Sequence, residues 1–128
     1  MSLSLHNRMK FQCSRMIFEV LLRKTRKVLK LKEETISLAI INEREMRNIN
    51  RQYQGVDAST DVLSFDYGEI LLCPAHIKKK YCLKSAREIK EKMRELFVHG
   101  LVHIAGFDHK TRKDEEKMSK VEEKILAS

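Results

Sequence analysis

The sequence predicts an α+β fold in a single domain spanning residues 1–128: a small mixed β-sheet flanked by helices, with a group of histidines at the end of a long helix. Three observations predict it. Four long stretches carry apolar residues at helical spacing. Between the first two lies one β-branched apolar run, Thr35 to Ile41, and between the second and third lie two short strand-like segments. The chain is long enough to bury one hydrophobic core without disulfides or a structural metal, and strands interleaved with helices in this order form a layered α+β arrangement.

From the N-terminus, Ser2 to Phe11 carries only a weak strand pattern. Ser14 to Lys30 reads as an amphipathic helix. Ile17, Val20, Leu21, Val28 and Leu29 recur at its spacing, and Arg23, Lys24, Arg26 and Lys27 fill the polar positions. Thr35 to Ile41 (TISLAII) is apolar enough for a buried strand. Asn42 is placed to cap a helix from Glu43 to about Tyr53, and Gly55 to Ser59 reads as a loop. Val62 to Phe65 and Glu69 to Cys73 are short strands, and the tight Tyr67-Gly68 connection makes them a hairpin.

Pro74 suits the first position of a short helix. Ser85, with Glu88 three residues on, is a capping-box pair. The helix it opens runs to about Ile104, with Ile89, Met93, Leu96, Leu101 and Ile104 as its apolar stripe. Gly106 ends that helix by accepting a left-handed backbone. A last helix covers about Lys113 to Leu126 and turns Met118, Val121 and Ile125 inward.

Composition narrows the functional classes. Lys and Arg number 26 against 18 Asp and Glu, a net charge of +8. Such a surplus favours polyanionic partners, because phosphate contacts release counterions; the plainer reading is a soluble surface that is simply basic. The three cysteines, Cys13, Cys73 and Cys82, form no CxxC pair, which argues against a disulfide framework and for a reducing compartment. Cys73 and Cys82 read as small hydrophobes in or near the core. No stretch approaches the roughly 20 apolar residues of a membrane span, and Met1 to Lys10 lacks a signal peptide's apolar run. The expectation is a cytoplasmic protein with no membrane partner.

The chemistry concentrates in HGLVHIAGFDH, residues 99–109, which holds three of the chain's five histidines. His99 and His103 are four apart, so a helix places them on one face, one turn above the other. Gly106 breaks the helix and lets the chain bring His109 to a third corner. Three imidazoles leave the fourth tetrahedral position open, which is the arrangement of catalytic zinc. One zinc ion per chain on His99, His103 and His109 is therefore expected, although imidazoles also suit nickel and iron. The ring nitrogens turned away from the metal need partners, and Asp108 is a nearby candidate. In HExxH peptidases a general-base Glu follows the first histidine; here that position is Gly100, which disfavours a peptidase. His6 and His76 fit no such pattern. Ser64 and Thr60 read as structural, with Asp61 fixing the loop beside them.

HGLVHIAGFDH resembles the HGxLHLxGYDH motif of the YbeY family of bacterial endoribonucleases. TDVLSF (Thr60 to Phe65), GEILLC (Gly68 to Cys73), Asn50 with Tyr53, and the acidic start of the last helix (Asp114, Glu115, Glu116, with Met118) are similar to the same family. The resemblance covers about Thr35 to the C-terminus. It implies a mixed sheet flanked by helices and zinc on His99, His103 and His109. It also implies a single-strand-specific, metal-dependent endoribonuclease that matures 16S ribosomal RNA and takes part in ribosome quality control, with RNA and ribosomal proteins as partners. Two positions depart from the family. The Arg after the Tyr of N-x-x-Y is Gln54 here, and Gly-Lys-Asp is Gly55-Val56-Asp57, so two cations are missing. Arg51, on nearly the same helix face as Gln54, is the candidate to reach a substrate phosphate instead.

Lys78 to Lys80, Lys84, Arg87, Lys90 and Arg94 form a basic tract that alternates with glutamates, the pattern of a solvated, salt-laced face. Lys110, Arg112 and Lys113 lie just past the third histidine and better suit an RNA contact. Few aromatics interleave these charges, so stacking on bases is not expected. Two other readings stay open: a ribosome-associated RNA-binding protein whose zinc is mainly structural, and a metal hydrolase of another substrate.

Overall fold

Residues 2–9, 11–108 and 110–127 are described by a computed structural model. Strand alternation builds its sheet. β2 (Thr35–Ile40) sends Ile36, Leu38 and Ile40 to one face, where all are fully buried, and Ala39 to the other. β4 (Glu69–Leu72) does the same with Ile70 and Leu72 against Leu71. Both faces are covered, so both strands are rich in apolar residues.

The four-stranded sheet has the order β1-β2-β4-β3. β1 (Ser2–Asn7) pairs parallel with β2, β2 parallel with β4, and β3 (Val62–Phe65) antiparallel with β4. The weak pattern at the N-terminus is therefore a genuine edge strand, whose Leu3 enters the core. An edge strand buries less of each face, so its alternation is faint in sequence. The β3–β4 hairpin closes through Gly68, whose N–H donates to the Phe65 carbonyl at 2.9 Å. Gly68 has φ +105, and a Cβ there would sit 3.2 Å from the Thr35 carbonyl oxygen, so the turn requires glycine.

On the larger face lie α1 (Arg15–Val28), α4 (Ala86–Ile104) and α5 (Arg112–Ala127), around one core that includes Phe97, Met93, Leu101 and Ile125. α2 (Glu43–Gln54) covers the opposite face over a smaller cluster of Ile41, Met46, Leu71 and Cys73. α3 (Pro74–Lys80) starts at Pro74, as expected. α1 buries Phe18, Leu21, Leu22 and Thr25, and Phe18 meets Phe97 edge-on at 5.1 Å. The inward face is thus shifted from the predicted stripe, and Ile17 is left 39% exposed. Thr25 can be buried because its hydroxyl donates to the Leu21 carbonyl at 2.8 Å. Cys73 is buried, but Cys82 is not a core residue: it is exposed, at φ +54, in the turn after α3. No helix among the described residues is long and apolar enough to cross a membrane.

Candidate active site

α4 carries the site, and its start and end are both fixed. Ser85 Oγ accepts from the Glu88 N–H at 3.2 Å, while Glu88 Oε1 accepts from the Ser85 N–H at 3.1 Å, which completes the capping box. At the other end Gly106 adopts φ +107; its N–H donates to the His103 carbonyl and the Phe107 N–H to the Val102 carbonyl. That is a Schellman closure. It turns the Phe107 carbonyl back onto the helix, where it accepts from His103 Nδ1 at 3.0 Å.

The two histidines share one helix face, with ring centroids 4.7 Å apart and planes at 86°. His99 Nδ1 donates to Glu122 Oε1 of α5 at 2.7 Å. Both rings thus have Nδ1 engaged with an oxygen acceptor, which selects the tautomer that presents a lone pair on Nε2. This is how zinc-binding histidines are oriented, and the donor set suits a metal. Glu122 lies beyond the histidine motif in sequence, and only its position one α5 turn after Met118 and before Ile125, both buried, hints that it faces α4. His109 lies outside the described residues, so the third expected ligand is neither placed nor displaced. Asp108 is exposed, and its Oδ1 accepts from the Lys110 N–H at 3.4 Å. The orienting role expected of it is held by Glu122 at His99 and by the Phe107 carbonyl at His103.

The histidines open onto a cleft along the β3 edge. Gln54, Val62, Leu63, Ser64, Asp66, Gly100 and Ile104 complete its lining. Gly100 forms the floor because α4 packs closely there: a Cβ would come within 3.0 Å of Ile70 Cδ1. A side chain at the position of the peptidase Glu would have to displace the tip of Ile70. Gln54 stands at the end of α2, where Gly55 at φ +72 stops the helix. Arg51 is not on the cleft wall; its guanidinium donates to Asn48 Oδ1 at 3.3 Å. Together with a hydrogen bond and charge from Arg47, it helps hold the Asp57 carboxyl below the usual range.

Loop 55–61 is anchored from both sides. Buried Asn50 donates through Nδ2 to the Ala58 carbonyl at 2.9 Å. Asp61, 6% exposed, accepts from Tyr81 Oη at 2.7 Å, Lys80 Nζ at 3.0 Å and the Val62 N–H at 2.8 Å. Burial pushes its carboxyl up, but the bonds from Tyr81 and Lys80 outweigh that and leave it below the ordinary carboxylate range. The loop-fixing role expected of Asp61 is thus visible atom by atom. The basic tract is partly neutralised within the chain, through Lys79–Glu43, Lys80–Asp61 and Arg87–Glu91 pairs. Lys110, Arg112 and Lys113 are exposed.

With this geometry the comparisons with known proteins are direct. The chain belongs to the Endoribonuclease YbeY family, whose family model matches residues 4–128. Among relatives named Endoribonuclease YbeY, the Buchnera aphidicola protein is 35% identical over 102 residues, covering 71% of this chain and 64% of the relative. The Sulfurimonas denitrificans protein is 33% identical over 104 residues, covering 75% of this chain and 73% of the relative. The match therefore spans a little under two thirds of the Buchnera protein's length. A solution structure from Thermotoga maritima superposes with a TM-score of 0.61 at 26% identity, covering 98% of this chain and 89% of that one.

Proposed function

We propose that the protein is a single-strand-specific, metal-dependent endoribonuclease that acts in the cytoplasm on ribosomal RNA, in 16S maturation and ribosome quality control, with ribosomal proteins as neighbours. The observation that carries this reading is the His99–His103 pair, each Nδ1 anchored, at the floor of an open cleft in a member of an endoribonuclease family. His99, His103 and His109 would hold one zinc ion per chain. Bound there, zinc would supply Lewis acidity toward water and phosphoryl oxygen.

The chain's own residues do the rest. Glu122 and the Phe107 carbonyl fix the two rings. The Gln54 amide and the Ser64 hydroxyl, both on the cleft wall, can donate to non-bridging phosphate oxygens. Arg51, exposed and bonded to Asn48, is proposed to swing toward the scissile phosphate and supply the missing cation.

The test is incubation of the zinc-loaded protein with single-stranded RNA, beside His103→Ala and Arg51→Ala, with elemental analysis of the purified chain. The expected result is zinc near one per chain, cleavage abolished in His103→Ala and slowed in Arg51→Ala. Cleavage unchanged in His103→Ala would overturn the proposal, and an unchanged rate in Arg51→Ala would remove Arg51 from it. One observation favours a second reading, an RNA-binding protein with little turnover: among the described residues lining the cleft, none is Lys or Arg. Tight RNA binding without cleavage would establish that alternative.

A further inference from the structure

Three aromatic rings meet beside the cleft. Tyr53 comes from the last turn of α2, Phe65 from the end of β3 and Tyr67 from the hairpin turn. Phe65 and Tyr67 are stacked, with centroids 5.5 Å apart and planes at 23°. Tyr53 meets Phe65 edge-on at 5.4 Å and 74°. Phe65 packs on the small cluster under α2, which fixes the base of the group. Tyr53 and Tyr67 remain 66% and 64% exposed. Large rings held by one another yet open to water form a rigid apolar surface on the outside of the fold.

The sequence interleaves this surface with the cleft. Gln54 follows Tyr53, while Ser64 and Asp66 bracket Phe65, and all three of these polar residues line the cleft. Strand alternation explains it: β3 sends Val62 to the α4 side, and Leu63 and Phe65 to the α2 side. Because β3 ends the sheet, the histidines and the rings lie on two sides of one exposed edge. A polymer crossing that edge meets both.

We propose that Tyr53, Phe65 and Tyr67 form a stacking platform for an unpaired base of single-stranded RNA, one step along the strand from the phosphate at the histidines. This rests on the endoribonuclease reading above. Flat exposed rings suit bases of any identity, since every base has a π-face. A duplex has its base faces already occupied, so the platform selects unpaired nucleotides. The net charge of +8 favours a nucleic acid over an extended peptide added to the β3 edge. Asp66, beside Phe65, places a carboxylate within the same region as an acceptor for an exocyclic amine.

The test measures binding of a short 2′-O-methyl RNA, which resists cleavage, and of the same strand with its bases removed at equal charge. The wild-type chain is expected to prefer the base-bearing strand. Tyr67→Ala and Tyr53→Ala are expected to weaken that strand about tenfold and leave the abasic one unchanged. Tyr67→Phe is expected to restore the preference, and both substituted positions are exposed enough to spare the fold. Equal binding of the two strands by wild type, or equal weakening of both by Tyr67→Ala, would overturn the platform while leaving the endoribonuclease reading intact. Absence of any RNA binding by wild type would remove both. An extended peptide that binds wild type but not Tyr67→Ala, with RNA binding unchanged, would also overturn it.

Discussion

Glu122 is the residue whose role depends most on the fold. Its carboxylate accepts from His99 Nδ1 at 2.7 Å and so fixes which nitrogen the ring presents. Residues in this position typically change metal affinity by about 10–100-fold. Glu122→Ala is expected to weaken zinc binding by that order in a competition titration against a chromophoric chelator, with little change in thermal stability of the metal-free chain. Asp61 makes a separate pH-dependent contribution at the loop. Its folded pKa lies below the unfolded value of about 3.9. Its stabilisation is therefore present above about pH 4 and lost as pH falls through the lower folded value. Tyr81→Phe removes one of its hydrogen bonds. The variant is expected to unfold at lower urea than wild type at pH 7, with the gap closing below about pH 4; a gap that stayed constant through strongly acidic pH would exclude Asp61 as the cause.

At the scale of elements, α4 couples stability to the site only at its C-terminal end. Ser85 and Gly106 are both end residues, and their loss costs similar amounts: about 1 kcal/mol for the cap and about 1–2 kcal/mol for a side chain forced to positive φ. Ser85→Ala is expected to lower the unfolding midpoint and leave zinc affinity unchanged. Gly106→Ala is expected to lower both, because the Schellman turn also aims the Phe107 carbonyl at His103. Equal zinc affinities in the two variants would show that the turn does not position the ring. β3 is the other element with a double role. Its edge position leaves Ser64 in the cleft and Phe65 against α2, so one short strand serves two surfaces.

Across the whole molecule, the excess of positive charge is not concentrated at the chemistry. The cleft lining holds no Lys or Arg among the described residues, and Lys79, Lys80 and Arg87 are paired with carboxylates. On the proposed endoribonuclease reading, attraction for RNA comes from exposed cations outside the cleft, such as Lys110, Arg112 and Lys113. Counterion release predicts that RNA affinity falls about twentyfold between roughly 50 and 200 mM salt if roughly three phosphates are contacted. The triple change of Lys110, Arg112 and Lys113 to Ala is expected to flatten that dependence. An unchanged salt slope would place the phosphate contacts elsewhere on the surface.

Features that depend only on near neighbours along the chain were legible in the sequence. The capping box at Ser85, the stop at Gly106, the hairpin at Tyr67-Gly68, Pro74 at a helix start and the shared face of His99 and His103 are all local geometry, set by backbone preferences and the 3.6-residue turn. The tertiary structure decided what depends on residues far apart. It placed β1 beside β2 although its own pattern is weak, rotated the buried face of α1 onto Phe18 and left Cys82 exposed. It also brought Glu122 to His99 across 23 positions, closed Gly100 against Ile70 and gathered Tyr53, Phe65 and Tyr67 on one edge. The reason is physical: periodicity records which side of an element is apolar, while the partner that side meets is chosen by packing between elements, which leaves little trace along the chain.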